Sequence, residues 1–183
     1  MGKIIVPQAN QRERGAFESV NIKLIESITE EEFLRVIIDF LNRHNVLFLA
    51  TCKDNEPRCT PLEYFNHGLT VYVFSEGGGK IANLKANAAV AYGIADPYHP
   101  DQDFFGATGL QVWGTASVFK KSDDPEKFKE VRTYARYTEA LKKQGMEEAA
   151  NTVNFNVITI EPAKIRYLNY RSGFRNVIWK KHE

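Results

Sequence analysis

The sequence predicts a mainly β domain, an antiparallel barrel with a few flanking helices. Several short segments between residues 46 and 170 carry the β signature, strand-like apolar runs separated by turn formers. Helical spacing, by contrast, appears in isolated segments that do not alternate with the strands as regular crossovers, which argues against a doubly wound parallel sheet. A chain of 183 residues with 43% hydrophobic residues is also long enough to close one core without staples.

Residues 1–28 mix Gln, Arg, Glu and Asn with isolated apolar side chains and show no period, so they are expected to form an arm on a single domain spanning 29–183. Thr29 followed by Glu30, Glu31 and Glu32 is a capping box. Phe33, Val36, Ile37, Phe40 and Leu41 then recur at helical spacing, predicting an amphipathic helix that ends between Asn42 and Asn45. Val46 to Cys52 and Arg58 to Phe65 read as a hairpin around Asp54, Asn55 and Pro57, and Asn66-His67-Gly68 turns into a third strand, Leu69 to Ser75. Gly77-Gly78-Gly79 breaks the pattern before a short helix, Lys80 to Asn87, and a strand, Ala88 to Ala95.

Asp96 to Gly109 is a loop rich in Pro, Asp and Gly, whose Tyr98, Phe104 and Phe105 suit a lid. Leu110 to Phe119 is read as a strand, and Asp124 with Pro125 starts a helix running to about Gln144, buried on the side of Phe128, Val131, Tyr134 and Ala135. Phe155 to Ile160 and Ile165 to Tyr170 read as a final strand or strand pair interrupted at Pro162.

Charge adds little bulk direction. With 24 Lys and Arg against 23 Asp and Glu, neither nucleic acid nor an anionic membrane is an expected partner. The apolar runs are too short to span a bilayer. Two cysteines, Cys52 and Cys59, and no N-terminal apolar run of signal type lead us to expect a cytoplasmic protein. The four histidines lack metal-ligand spacing, and neither a metal site nor a catalytic acid, base or nucleophile is expected.

A local anion site is more specific. Successive glycines can aim consecutive amides into one concavity, and the start of the following helix adds positive partial charge. Arg58 offers a planar fork, Lys80 a point charge, and Thr60 and Ser75 hydroxyls, so this meander concentrates phosphate donors at one rim. Each piece alone has a plainer reading, a flexible turn or a solvated strand residue. Absence of Ser or Thr after Lys80 excludes a P-loop.

Taken with Leu49-Ala50-Thr51, Pro57 to Leu62, Val71 to Ser75, Lys80 to Asn87 and Val112 to Ala116, this arrangement resembles the pyridoxamine 5'-phosphate oxidase superfamily over about residues 30–120. The resemblance implies a six-stranded antiparallel split barrel that binds FMN at a homodimer interface, with the flavin phosphate on Arg58 and Lys80. It further implies that Cys59, Thr60, Pro61 and Leu62 run beside the flavin ring and that Phe74 and Ser75 flank the ribityl phosphate. Asn83 and Gln111 are candidate further contacts. Trp113 reads either as a flavin contact from the partner subunit or as a core aromatic.

Departures from that pattern bear on the substrate. Glu63 stands where the pyridoxamine oxidases have a substrate-phosphate Lys, Gly79 where they have Arg, and Arg171, Arg175 and Trp179 match their C-terminal signature only loosely. A carboxylate at 63 repels a phosphorylated vitamer. The expectation is therefore an FMN-dependent oxidoreductase acting on another small redox substrate. A flavin carrier or electron-transfer module, haem binding and deazaflavin use stay open as alternatives.

Overall fold

The computed structural model describes residues 2–135, 138–146, 148 and 152–182. In chain order come β1 (Gly2–Ile5), α1 (Gln11–Glu18), α2 (Glu30–Arg43), β2 (Val46–Lys53), β3 (Glu56–Glu63), β4 (Phe65–His67) and β5 (Thr70–Ser75). They are followed by α3 (Gly79–Ala86), β6 (Ala89–Ala95), β7 (Thr108–Lys120), α4 (Pro125–Thr133), α5 (Thr138–Lys143), β8 (Asn156–Asn169) and β9 (Phe174–Lys181). All pairing is antiparallel, in the order β1-β9-β8-β7-β6-β2-β3, with β5 joining β4 on one side and β8 on the other.

β8 explains how the barrel splits. Its first part, Asn156 to Ile160, pairs with β5, while Lys164 to Asn169 pairs with β9. β7 runs along the other edge of both parts. Pro162 lies between them, where a proline costs least, because the β7–β8 register slips beside it between Trp113 and Gly114. The two strands expected around Pro162 are thus one bent strand. β3 and β5 come together across the gap without forming a ladder.

The inner faces follow the period of two. Leu47, Leu49, Val71, Val73, Val90, Tyr92, Ile94, Leu110, Val112, Ile158, Ile160, Ile165 and Tyr167 are buried in one core. Thr29 and Glu32 form the expected capping box of α2, and its Phe33, Ile37, Phe40 and Leu41 complete that core. Removing a buried ring such as Phe33 would cost about 3–5 kcal/mol. His44 ends the helix, with Nδ1 2.8 Å from the Phe40 carbonyl and Nε2 2.7 Å from Asp96 Oδ1, so it ties α2 to the loop after β6.

A second, smaller core accounts for α4. Phe128, Val131 and Ala135 cover the outer side of β5 and β8 through Phe65, Phe74, Phe155 and Val157. The helix expected to reach Gln144 stops at Thr133, with Tyr134 as its C-cap, and α5 follows separately.

The N-terminal arm is more ordered than its composition suggests. β1 adds to the edge of β9, and an Asn10–Glu13 capping box opens α1. Arg175 holds this arm through Glu13 Oε1 at 2.9 Å and the Gln8 carbonyl at 2.7 Å. No helix among the described residues is long and apolar enough to cross a membrane.

Candidate functional site

The meander that ends in α3 brings Arg58 and the glycine turn together. Arg58 faces Thr51 across the β2–β3 ladder, and Thr51 Oγ1 accepts from Asn83 Nδ2 of α3 at 3.1 Å. That bond seats the helix at the end of the hairpin. The Arg58 guanidinium then crosses the first residue of α3, so close that a Cβ on Gly79 would stand 3.0 Å from Nη2. Among the described residues Arg58 makes no ion pair.

Gly77 (φ 152°) and Gly78 (φ 98°) occupy backbone conformations closed to other residues, and Gly78 caps α3 without a side chain. The first-turn amides of α3 consequently lack a side-chain acceptor and present positive partial charge beside Arg58. Lys80 Nζ donates to the Gly77 carbonyl at 2.9 Å, which keeps a second cation at the same turn. Ser75 Oγ is spent on the turn itself, donating to Gly77 O and accepting from Gly77 N, each at 3.3 Å.

β3 divides its side chains between two faces. Arg58, Thr60 and Leu62 lie opposite Thr51, Leu49 and Leu47 and so share the inner side. Thr60 Oγ1 is buried there without a hydrogen-bond partner. Cys59 and Pro61 point outward and are exposed. The edge of β3 away from β2 takes part in no ladder, leaving main-chain donors and acceptors open to a ligand.

The outer face of the sheet is apolar on β2 and β6 and carries Lys164 and Arg166 on β8. Pro61, Phe48, Gly93, Gln111 and Arg166 stand directly opposite one another across five strands. The next row is Cys59, Ala50, Ala91, Trp113 and Lys164. Gln111 and Trp113 therefore share a face with Cys59 and Pro61, opposite to the side of Arg58. Trp113 is half-buried with Lys164 Nζ 4.3 Å from its ring centre, so it is an outer-face residue and not part of the barrel core. A cleft of about 480 Å³ opens here between Phe48, Gly93, Gly109, Gln111, Arg166 and Leu168.

Two expected placements differ. Phe74 projects away from the glycine turn and packs on Phe65, Phe128 and Phe155, because neighbours along a strand alternate faces and Ser75 takes the inner side. The loop after β6 is anchored: Arg171 pairs with Asp103 through both Nε and Nη2, and Phe105 packs on Phe17 with ring centres 5.3 Å apart. Only Tyr98 and Phe104 stand out as exposed aromatics of that loop. Sequence reasoning missed Arg166, whose position depends on a β7–β8 register that the sequence does not display.

Comparison with known proteins agrees with this architecture. A candidate pyridoxamine 5'-phosphate oxidase from Listeria innocua is 25% identical, with a TM-score of 0.54 over 75% of this chain and 99% of its own. An FAD-binding protein from Mesorhizobium loti (21% identity, TM-score 0.52, 85% and 96% covered) shares the fold. So does a haem-binding protein from Mycobacterium smegmatis (16% identity, TM-score 0.59, 86% and 60% covered). No match is found among curated proteins. The sequence model of the pyridoxamine 5'-phosphate oxidase family matches residues 34–169, from the second turn of α2 to the end of β8. Most of the split barrel, together with the Arg58–α3 corner, falls inside that match, and the chain belongs to the pyridoxamine 5'-phosphate oxidase family.

Proposed function

We propose that this protein is a cytoplasmic FMN-dependent oxidoreductase that works as a homodimer, and that its substrate is not a pyridoxamine phosphate. The observation that carries the reading is the Arg58 guanidinium, without an ion pair among the described residues, lying over the α3 start at Gly79, with Lys80 on the adjoining turn. Two cations and a set of first-turn amides belong to the same turn, the kind of donor set that a phosphate dianion takes. The buried, unpartnered Thr60 Oγ1 fits a ligand that lies along β3 and satisfies it.

When bound, the flavin supplies the hydride or electron transfer. Arg58 binds the phosphate as a fork, and Lys80 exchanges the Gly77 carbonyl for a phosphate oxygen. The free edge of β3 orients the ring by main-chain hydrogen bonds. Glu63, exposed at the end of β3, disfavours a phosphorylated substrate. Support for a second copy comes from the outer face, where Val46 and Phe48 are 44% and 54% exposed beside Ala50, Ala91 and Ala95. Haem finds less support: His44 has both ring nitrogens engaged, and His67 stacks on Tyr134.

The test is the visible spectrum of the protein after FMN addition and removal of free ligand, repeated for Arg58→Ala/Lys80→Ala. Retained flavin bands in the wild type and a loss of affinity by about two orders of magnitude in the folded double variant are expected. A colourless wild type, or a double variant of full affinity, would overturn the reading.

A further inference from the structure

Arg166 is a half-buried cation with no ion pair among the described residues. Its Nε donates to Asn176 Oδ1 at 2.9 Å, and Asn176 is itself held in the left-handed region (φ 58°). One edge of the guanidinium is thereby fixed, while its terminal nitrogens have no partner among the described residues. Gln111 stands directly opposite in the β7–β8 ladder and adds an amide to the same corner.

The surroundings strengthen the positive charge. Lys164 follows on the same face, Lys180 is opposite Lys164, and Lys3 is opposite Lys180, with no carboxylate in that row. Like charges set directly opposite each other destabilise a sheet, so an anionic ligand would relieve a cost the free protein carries. Beside this corner the cleft is flat and apolar. Gly93 and Gly109 leave bare backbone as its floor, and Phe48 and Leu168 form walls.

We infer that the cleft binds a planar organic carboxylate, with its ring on the glycine floor and its carboxylate forked by Arg166. A mostly apolar cavity with a few convergent polar groups is the usual form of a small-molecule site, and a volume of about 480 Å³ suits a ligand of one or two rings. As the substrate class of the oxidoreductase this rests on the flavin reading, whereas the binding itself does not.

The experiment titrates 2-naphthoate and the neutral 2-naphthamide into the purified protein, with and without FMN, by intrinsic fluorescence. The acid should bind about tenfold tighter than the amide, and Arg166→Gln should level the two. Gly93→Val should abolish both at unchanged Tm and unchanged mass in sedimentation velocity, because a Cβ there meets only the Leu110 carbonyl at 3.8 Å and the branched side chain fills the floor. Equal affinities in the wild type, or naphthoate binding undiminished in folded Arg166→Gln, would overturn the inference. Naphthoate binding by a protein that takes no FMN would uphold the inference and sink the flavin reading; FMN uptake without naphthoate binding would do the reverse.

Discussion

The guanidinium of Arg58 passes so close over Gly79 that a Cβ there would stand 3.0 Å from Nη2 and 3.1 Å from Cζ and Nε, and the guanidinium would have to give way by a few tenths of an ångström. Gly79 is the first residue of α3 and is not in a left-handed conformation, so alanine there is compatible with the helix. Stability and ligand binding should consequently separate in Gly79→Ala. We expect Tm to hold or rise while FMN affinity falls roughly three- to tenfold, because the displaced fork loses part of a charge-assisted bond. Thermal melts beside FMN titration check this, and a fall in Tm with unchanged affinity would show that Gly79 serves the helix alone.

Thr60 poses the same question from the other side. Its buried Oγ1 has no hydrogen-bond partner among the described residues. Replacing it with the near-isosteric valine removes an unsatisfied hydroxyl from a strand position, which should stabilise the protein by about 1 kcal/mol. If the hydroxyl meets the flavin, the same substitution weakens FMN binding by about fivefold. Urea denaturation of the free Thr60→Val protein, compared with its FMN affinity, measures both. A variant unchanged in both respects would mean that ordered water already serves Thr60.

How much of this was legible depended on whether the signal was local. Arg58, the triple glycine and Lys80 lie within one meander, so their proximity is legible in the sequence alone. α2 was equally clear because Thr29, Glu32 and a full apolar stripe agree. β9 was not, because its inward residues Phe174, Val177 and Trp179 lose the period of two where Asn176 turns into the left-handed region. β1 is too short to show a period and forms only because β9 offers an edge. The displacement of Phe74 was readable in principle, since a residue adjacent to Ser75 on a strand cannot share its side. The outer-face row from Pro61 to Arg166 was not, as it exists only once the register of five strands is set.

Glu30 makes the junction of β1, α2 and β9 sensitive to acid. Its Oε1 accepts from Trp179 Nε1 at 2.9 Å and from the Gly2 amide. The Trp179 bond foremost, aided by the Gly2 amide and opposed by desolvation, holds the carboxyl below its ordinary value of 4.5. A carboxyl lowered on folding contributes stability that is present above 4.5 and is lost as pH falls through the lower folded value. Tm of the wild type should therefore drop more steeply with acid below pH 4.5 than that of Glu30→Gln, the two curves converging at low pH. Parallel curves throughout the acid range would remove Glu30 from that role.

Phe48 tests the assembly. It stands second in the outer row, 54% exposed, between Pro61 and Gly93, and no described charged group of its own row is nearer than Arg166 across β6 and β7. An aromatic packed against a partner commonly contributes about 2 kcal/mol or more, and a lysine in its place sets an unpaired charge against that partner. Phe48→Lys should thus shift the protein from the mass of two chains to that of one at micromolar concentration, in sedimentation velocity, without lowering Tm of the isolated chain. Because the proposed flavin site is completed by the partner, FMN affinity should fall in the same variant even though Arg58, Gly79 and Lys80 are untouched. A Phe48→Lys protein that remains dimeric would place the interface elsewhere. A monomer of full FMN affinity would confine the flavin to one chain.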